Sequence, residues 1–171
     1  FAEGAPRHHH LVIKAHPLED GRVPVKTEIK RIARALGITH RVHFVRGGKL
    51  AQLLGEARST VTVNSTAGQQ ALWRGIPIKV FGDAVYAQPE FVSDQPLPDF
   101  FKGASRPDRK AYGDYRRFLL ETSQIPGGFY STGGRRQLMR HVVDMMLSPE
   151  DPYEALISGT AAPRQQLRVV N

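Results

Sequence analysis

Along the first 82 residues, short apolar runs alternate with longer segments of helical period. "HLVIKA" (10–15) reads as a buried strand that stops at His16-Pro17. "VPVKTEIKRIARALG" follows, and its Ile29, Ile32, Ala33 and Leu36 recur at i, i+3, i+4 and i+7, one face of a helix. Pro24 suits the first turn of that helix and Gly37 the position just past its end. "RVHFV" (41–45) predicts a second strand. "KLAQLLGEA" predicts a second helix, with Leu50, Leu53, Leu54 and Ala57 on one side. "TVTV" (60–63) is a third strand, residues 65–74 a third helix, and "PIKVF" (77–81) a fourth strand.

Strands separated by helical segments form βαβ units, and these build a parallel sheet with right-handed crossovers. The expectation is an α/β fold, a Rossmann-like parallel sheet with flanking helices, from about residue 10 to 82. No G-x-G-x-x-G fingerprint follows the first strand, which disfavours a dinucleotide domain. Residues 83–106 are rich in proline and aromatics with weak periodicity, as in a long ordered loop or a loop with short helices. Two helices should close the chain. Tyr112, Tyr115, Phe118, Leu119 and Thr122 share a face of the first, and Leu138, Val142, Met145 and Met146 a face of the second. The Gly-rich stretch "SQIPGGFYSTGG" joins them. This organisation gives one domain over 1–155 and a tail over 156–171.

Composition narrows the partners. The chain has 171 residues, one domain's worth, and no run of about 18 apolar residues to span a membrane. Without cysteine, disulfides and thiolate metal sites are excluded. The formal net charge of +8 favours an acidic partner: nucleic acid, anionic lipid or a phosphorylated small molecule. Zinc-finger spacings and RNA-recognition aromatic motifs are absent, so nucleic acid is not the expected partner. The histidines show no metal-ligand spacing, and no metal site is expected.

Ligands of parallel α/β sheets bind beyond the carboxyl ends of the strands. At the third strand's end stands "NSTAG". Asn64 is the expected helix cap, leaving Ser65 and Thr66 in the first turn with amides and hydroxyls for an anion. Gly68 would let a ligand or a neighbouring backbone come close. Plain helix capping is the competing reading. At the first strand's end, Pro17 holds His16 in extended geometry, where its ring can donate to a phosphate oxygen. Lys14 lies two residues back on the same strand face. A purely structural histidine is the alternative. The acids Glu19 and Asp20 fit a polar turn better than a catalytic pair.

The HP pair and the stretch "VTVNSTAGQQALWRGIPIKVFGDAVY" together closely resemble the capsular polysaccharide biosynthesis family. In that family an HP pair is followed by "vNSTvGlqAl..g.Pvkv.G.avY", and the resemblance covers about residues 11–101. It departs after Tyr86, where Ala87, Gln88, Pro89 and Glu90 replace the usual Asp-x-Pro-Gly, and around Asp99, Phe100 and Phe101, where a Trp is usual.

The resemblance implies a β-Kdo transferase that uses CMP-Kdo with retention of configuration, built on two Rossmann-like halves in a GT-B arrangement. This chain would be the C-terminal, donor-binding half, and the acceptor-binding N-terminal domain would lie outside it. The implied partners are the nucleotide sugar CMP-Kdo, a lipid-linked saccharide acceptor and the anionic inner face of the cytoplasmic membrane, where the protein would be peripheral. No cofactor is implied. By analogy with bacterial sialyltransferases, His16 would stabilise the leaving phosphate, with Lys14, Pro17, Asn64, Ser65 and Thr66 completing the donor site. The sialyltransferase acidic motif precedes HP, whereas Glu19 and Asp20 follow it, so they do not inherit its role as base. The rivals are a sialyltransferase-like or other GT-B nucleotide-sugar enzyme and a non-catalytic basic binding or export module.

Overall fold

A computed structural model describes residues 1–160. Four short strands and seven helices occur in the order β1 (Leu11–Lys14), α1 (Val25–Ala35), β2 (Val42–Val45), α2 (Leu50–Glu56), β3 (Thr60–Thr62), α3 (Ala67–Trp73), β4 (Ile78–Val80), α4 (Leu97–Gly103), α5 (Arg109–Thr122), α6 (Thr132–Met146) and α7 (Pro152–Ser158). The fold is α/β, with parallel pairing throughout. It differs from the expected single sheet: the strands make two two-stranded sheets, β1-β2 and β3-β4. Leu11 pairs with Val42 and Lys14 with Val45, while Thr60 pairs with Ile78 and Thr62 with Val80. Each pair is one βαβ unit, around α1 and α3, and α2 links them.

The described chain falls into two compact units, one over Phe1–Tyr112 and one from Gly113 onward. In the first, Leu54, Ala71, Leu72, Ile78, Tyr86, Phe91, Phe100 and Tyr112 are buried. The segment at 83–106 is ordered, and α4 lies within it. Phe91 and Tyr112 meet edge to face at 5.5 Å.

Arg41, expected to open the second strand, instead closes a 3-10 turn over Thr39–Arg41. It is 6% exposed. Its guanidinium donates to the carbonyls of Pro6 (2.7 Å), His9 (2.9 Å) and Ala5 (3.4 Å). A buried cation is stable only when paired or fully hydrogen-bonded, and these carbonyls meet that demand. They also tie residues 5–9 to the start of β2.

Helix α1 ends as its glycine predicts. Gly37 has φ +68°, and Ile38 donates to the Ala33 carbonyl at 2.9 Å. Its apolar face is only partly covered: Ala33 is buried, whereas Ile32 and Leu36 remain exposed.

In the second unit Ser131 caps α6, accepting from the Gly134 amide at 3.0 Å. Gly127, at φ +140°, leaves no room for a Cβ against Leu138. Asp151 caps α7, with Pro152 in its first turn. The tail expected from 156 thus begins inside a helix, and 161–171 lie outside the described residues.

Candidate functional site

The edges of β1 and β3 that carry no partner strand line one cleft of about 1680 Å³ in the first unit. That is larger than the roughly 300–1,000 Å³ of common small-molecule pockets. Five cations line it: Lys14, Arg58, Arg74, Lys102 and Arg106. Glu56 is the sole carboxylate among the lining side chains. Low-dielectric walls lined by one sign of charge focus that field on the space between them. The described residues hold no group of three or more His, Asp or Glu side chains placed to share a metal ion.

Of the candidate residues, Lys14, His16, Pro17, Ser65 and Thr66 all line this cleft, and Asn64 does not. Two segments about fifty residues apart in sequence are therefore brought to one cleft by β1 and β3. His16 is exposed at the end of β1. The Leu18 amide donates to its Nδ1 at 3.1 Å. With Nδ1 accepting, the ring's N–H donor lies on Nε2. Pro17 occupies the second position of a turn closed by the Glu19 amide on the His16 carbonyl at 3.0 Å. The HP pair therefore holds a ring whose Nε2–H remains as a donor.

Glu19 and Asp20 serve that turn. Glu19 accepts from the Gly21 amide at 3.3 Å, Asp20 from the Arg22 amide at 3.0 Å, and Asp20 pairs with the Arg22 guanidinium at 2.8 Å. Neither lines the cleft.

The NST segment departs from its expected roles. Asn64 is not the cap of α3. The helix begins two residues later than predicted, with Thr66 at its N-cap position and no capping bond from that side chain. Ser65 does the work instead. Its Oγ accepts from the Ala67 amide at 3.2 Å, and its carbonyl accepts from the Gly68 amide at 3.0 Å. The Ser65 amide is itself engaged, donating to Thr62 Oγ1 at 3.2 Å. Thr62 thus already uses one donor that the sequence offered to an anion. The Ser65 hydroxyl can still donate its own proton, and no hydrogen bond among the described residues engages the Thr66 amide or hydroxyl. Helix α3 has seven residues, two turns, so its dipole adds less than a long helix would.

Tyr86, the last residue of the family-like stretch, supports this segment. It is fully buried, and its hydroxyl donates to the Ser65 carbonyl. Burial raises its phenol pKa above the ordinary 10.0, so it remains a donor. Gly68 is explained by the same side chain: a Cβ there would stand 2.1 Å from the Tyr86 hydroxyl and 2.7 Å from Ile78 Cδ1. The close approach expected at Gly68 is that of a tyrosine, not of a ligand or a backbone. The 18-residue spacing from Gly68 to Tyr86 carries no periodic signal; the apolar residue after "GDAV" was the only clue.

Two further features belong to the cleft. Thr60 lines it, and its Oγ1 is the one buried side-chain polar atom without a hydrogen-bond partner among the described residues. His9 also lines it, with its pKa lowered from 6.5, first by desolvation and then by His8, Arg58 and Arg41.

Comparison with known proteins places these residues in context. Residues 1–130 match the family model of the capsule polysaccharide biosynthesis protein. The capsule polysaccharide export protein KpsS of Escherichia coli is 34% identical over 130 residues, 76% of this chain and 33% of that protein. The capsule polysaccharide modification protein LipB of Neisseria meningitidis, serogroup A, is 35% identical over 132 residues, 77% of this chain and 32% of that protein. The chain thus spans about a third of the length of these relatives. No solved structure matches.

Proposed function

The chain belongs to the capsule polysaccharide biosynthesis family, and from that premise we propose that its cleft binds the CMP-Kdo donor of a glycosyltransferase. The observation that carries this reading is the cleft wall: His16 and Ser65-Thr66 share a cavity lined by five cations and one carboxylate. Glycosyl transfer from a CMP-sugar breaks the bond between the sugar and the phosphate oxygen, and negative charge grows on the departing cytidylate. Preorganised donors facing that charge lower the barrier most. Here those donors are the His16 Nε2–H, the Ser65 and Thr66 hydroxyls and the Thr66 amide, with Lys14 adding a charge nearby. His16 would act on the leaving group, and no carboxylate in the cleft is assigned as base.

In this reading the two βαβ units, β1-α1-β2 and β3-α3-β4, make up one Rossmann-like half of a GT-B enzyme, with the donor held in the cleft along the open edges of β1 and β3. The acceptor, a lipid-linked saccharide, would be held by a further domain of the kind the relatives' greater length allows. The protein would work at the cytoplasmic face of the membrane.

Calorimetry of the 171-residue chain with CMP, UDP and GDP tests the reading. CMP should bind preferentially, and His16→Ala should weaken it about ten- to a hundred-fold, as expected for a hydrogen bond to a charged group. Equal affinity for all three nucleotides, or no binding by a folded sample, would remove the donor assignment.

A further inference from the structure

Helix α6 begins just beyond the stretch matched by the family model, which ends at residue 130. It is apolar on two adjacent faces, centred about 100° apart on the helix. Gln137, Leu138, His141, Val142 and Met145 recur at helical spacing and are half-buried within the second unit. Beside that face Met139, Val143 and Met146, at i, i+4 and i+7, are 59%, 45% and 80% exposed. A helix that needed only to pack inward would carry polar residues there.

The borders of the outer stripe are cationic. Arg135, Arg136 and Arg140 flank it, all exposed, with Asp144 the one acid of the helix. Arg135 donates to the Phe129 carbonyl at 2.9 Å. The salt bridges found among the described residues involve none of the three arginines. Phe129 and Tyr130, immediately before the helix, are also exposed.

We infer that α6 is an interfacial helix that lies flat on an anionic lipid surface, its Met139-Val143-Met146 stripe in the acyl boundary and its arginines on the headgroups. Charge complementarity selects this occupant. A protein or second copy covering the stripe would have to neutralise the flanking arginines, whereas an anionic bilayer supplies apolar depth and negative charge together. The helix has 15 residues, about 22 Å at the α-helical rise, and no described helix is long and apolar enough to cross a membrane. This deepens the membrane-face element of the proposed function, yet it uses no residue of the cleft.

Cosedimentation of the full chain with vesicles of phosphatidylcholine, with and without phosphatidylglycerol, tests it. Binding should require phosphatidylglycerol and weaken with salt. Arg136→Gln with Arg140→Gln should lower partitioning about twenty-five-fold, at roughly fivefold per arginine. Met139→Asp with Val143→Asp should abolish it while the melting temperature stays near that of the parent. CMP affinity should be unchanged in both double variants, so a failed donor assignment and a failed membrane assignment read out separately. No partitioning into anionic vesicles overturns the inference, as does partitioning that neither double variant reduces. Sedimentation velocity showing a dimer that Val143→Asp dissociates, with no vesicle binding, also overturns it and makes a second copy the occupant.

Discussion

Tyr86 and Gly68 form a single device, although neither touches the open cleft through a reactive group. The tyrosine hydroxyl holds the Ser65 carbonyl, and the missing side chain at Gly68 makes room for it. Tyr86→Phe keeps the buried ring and removes one neutral hydrogen bond, so it should cost about 1 kcal/mol of stability. Nucleotide affinity should fall with it, because the Ser65 carbonyl is released at the cleft wall. Gly68→Ala should cost more, in the range of roughly 1–3 kcal/mol for overpacking, since its Cβ meets a ring fixed in the core. Denaturant unfolding of the two variants checks the order; if Gly68→Ala is the milder, the clash is relieved elsewhere. The neighbouring pair separates in the same assay. Ser65→Ala removes the side chain that accepts from Ala67 and should cost about 1 kcal/mol. Asn64→Ala should be nearly neutral, because it caps nothing in the structure.

The elements themselves show what periodicity can and cannot report. The four strands and the helices around them were legible because apolar alternation and helical spacing are local, and so was the glycine end of α1. That β1 and β3 do not pair was not legible, because strand adjacency is decided by contacts between residues about fifty apart. The same limit hid the role of Arg41, whose partners lie 32 to 36 residues away. Helix α7 does carry a local signal, Asp151 followed by Pro152, a cap and first-turn pair. The N-cap position of α3 lies two residues beyond the expected Asn64, because Asn64, Ser65 and Thr66 are all good caps and only the backbone path chooses among them. Arg41→Met tests the non-local part. It retains the aliphatic stem and deletes the donors to three carbonyls, so it should cost about 3 kcal/mol and speed proteolysis within residues 1–9. Arg41→Lys should recover only part of this, since one ammonium cannot reproduce the guanidinium fork. Unchanged proteolysis in Arg41→Met would mean that the segment is held by its apolar contacts alone.

At the scale of the whole molecule, the cleft and the outer stripe of α6 belong to different compact units, and this makes ligand linkage separable. A ligand that binds only the folded state stabilises it by RT ln(1 + [L]/Kd), about 2.7 kcal/mol at a hundredfold excess over Kd. If CMP binds in the cleft, that stabilisation acts on the unit that contains the cleft, Phe1–Tyr112. Amide hydrogen exchange with saturating CMP should slow in β1, in β3 and at the start of α3, while α6 and α7 exchange as before. Anionic vesicles should give the converse pattern, with protection confined to α6 and the residues leading into it. Slowing of both regions by CMP alone would mean that the two units open together, so that events in the cleft stabilise the lipid-facing helix as well. Slowing of neither, in a sample where calorimetry detects binding, would place the nucleotide outside the cleft and leave its five cations to another anion.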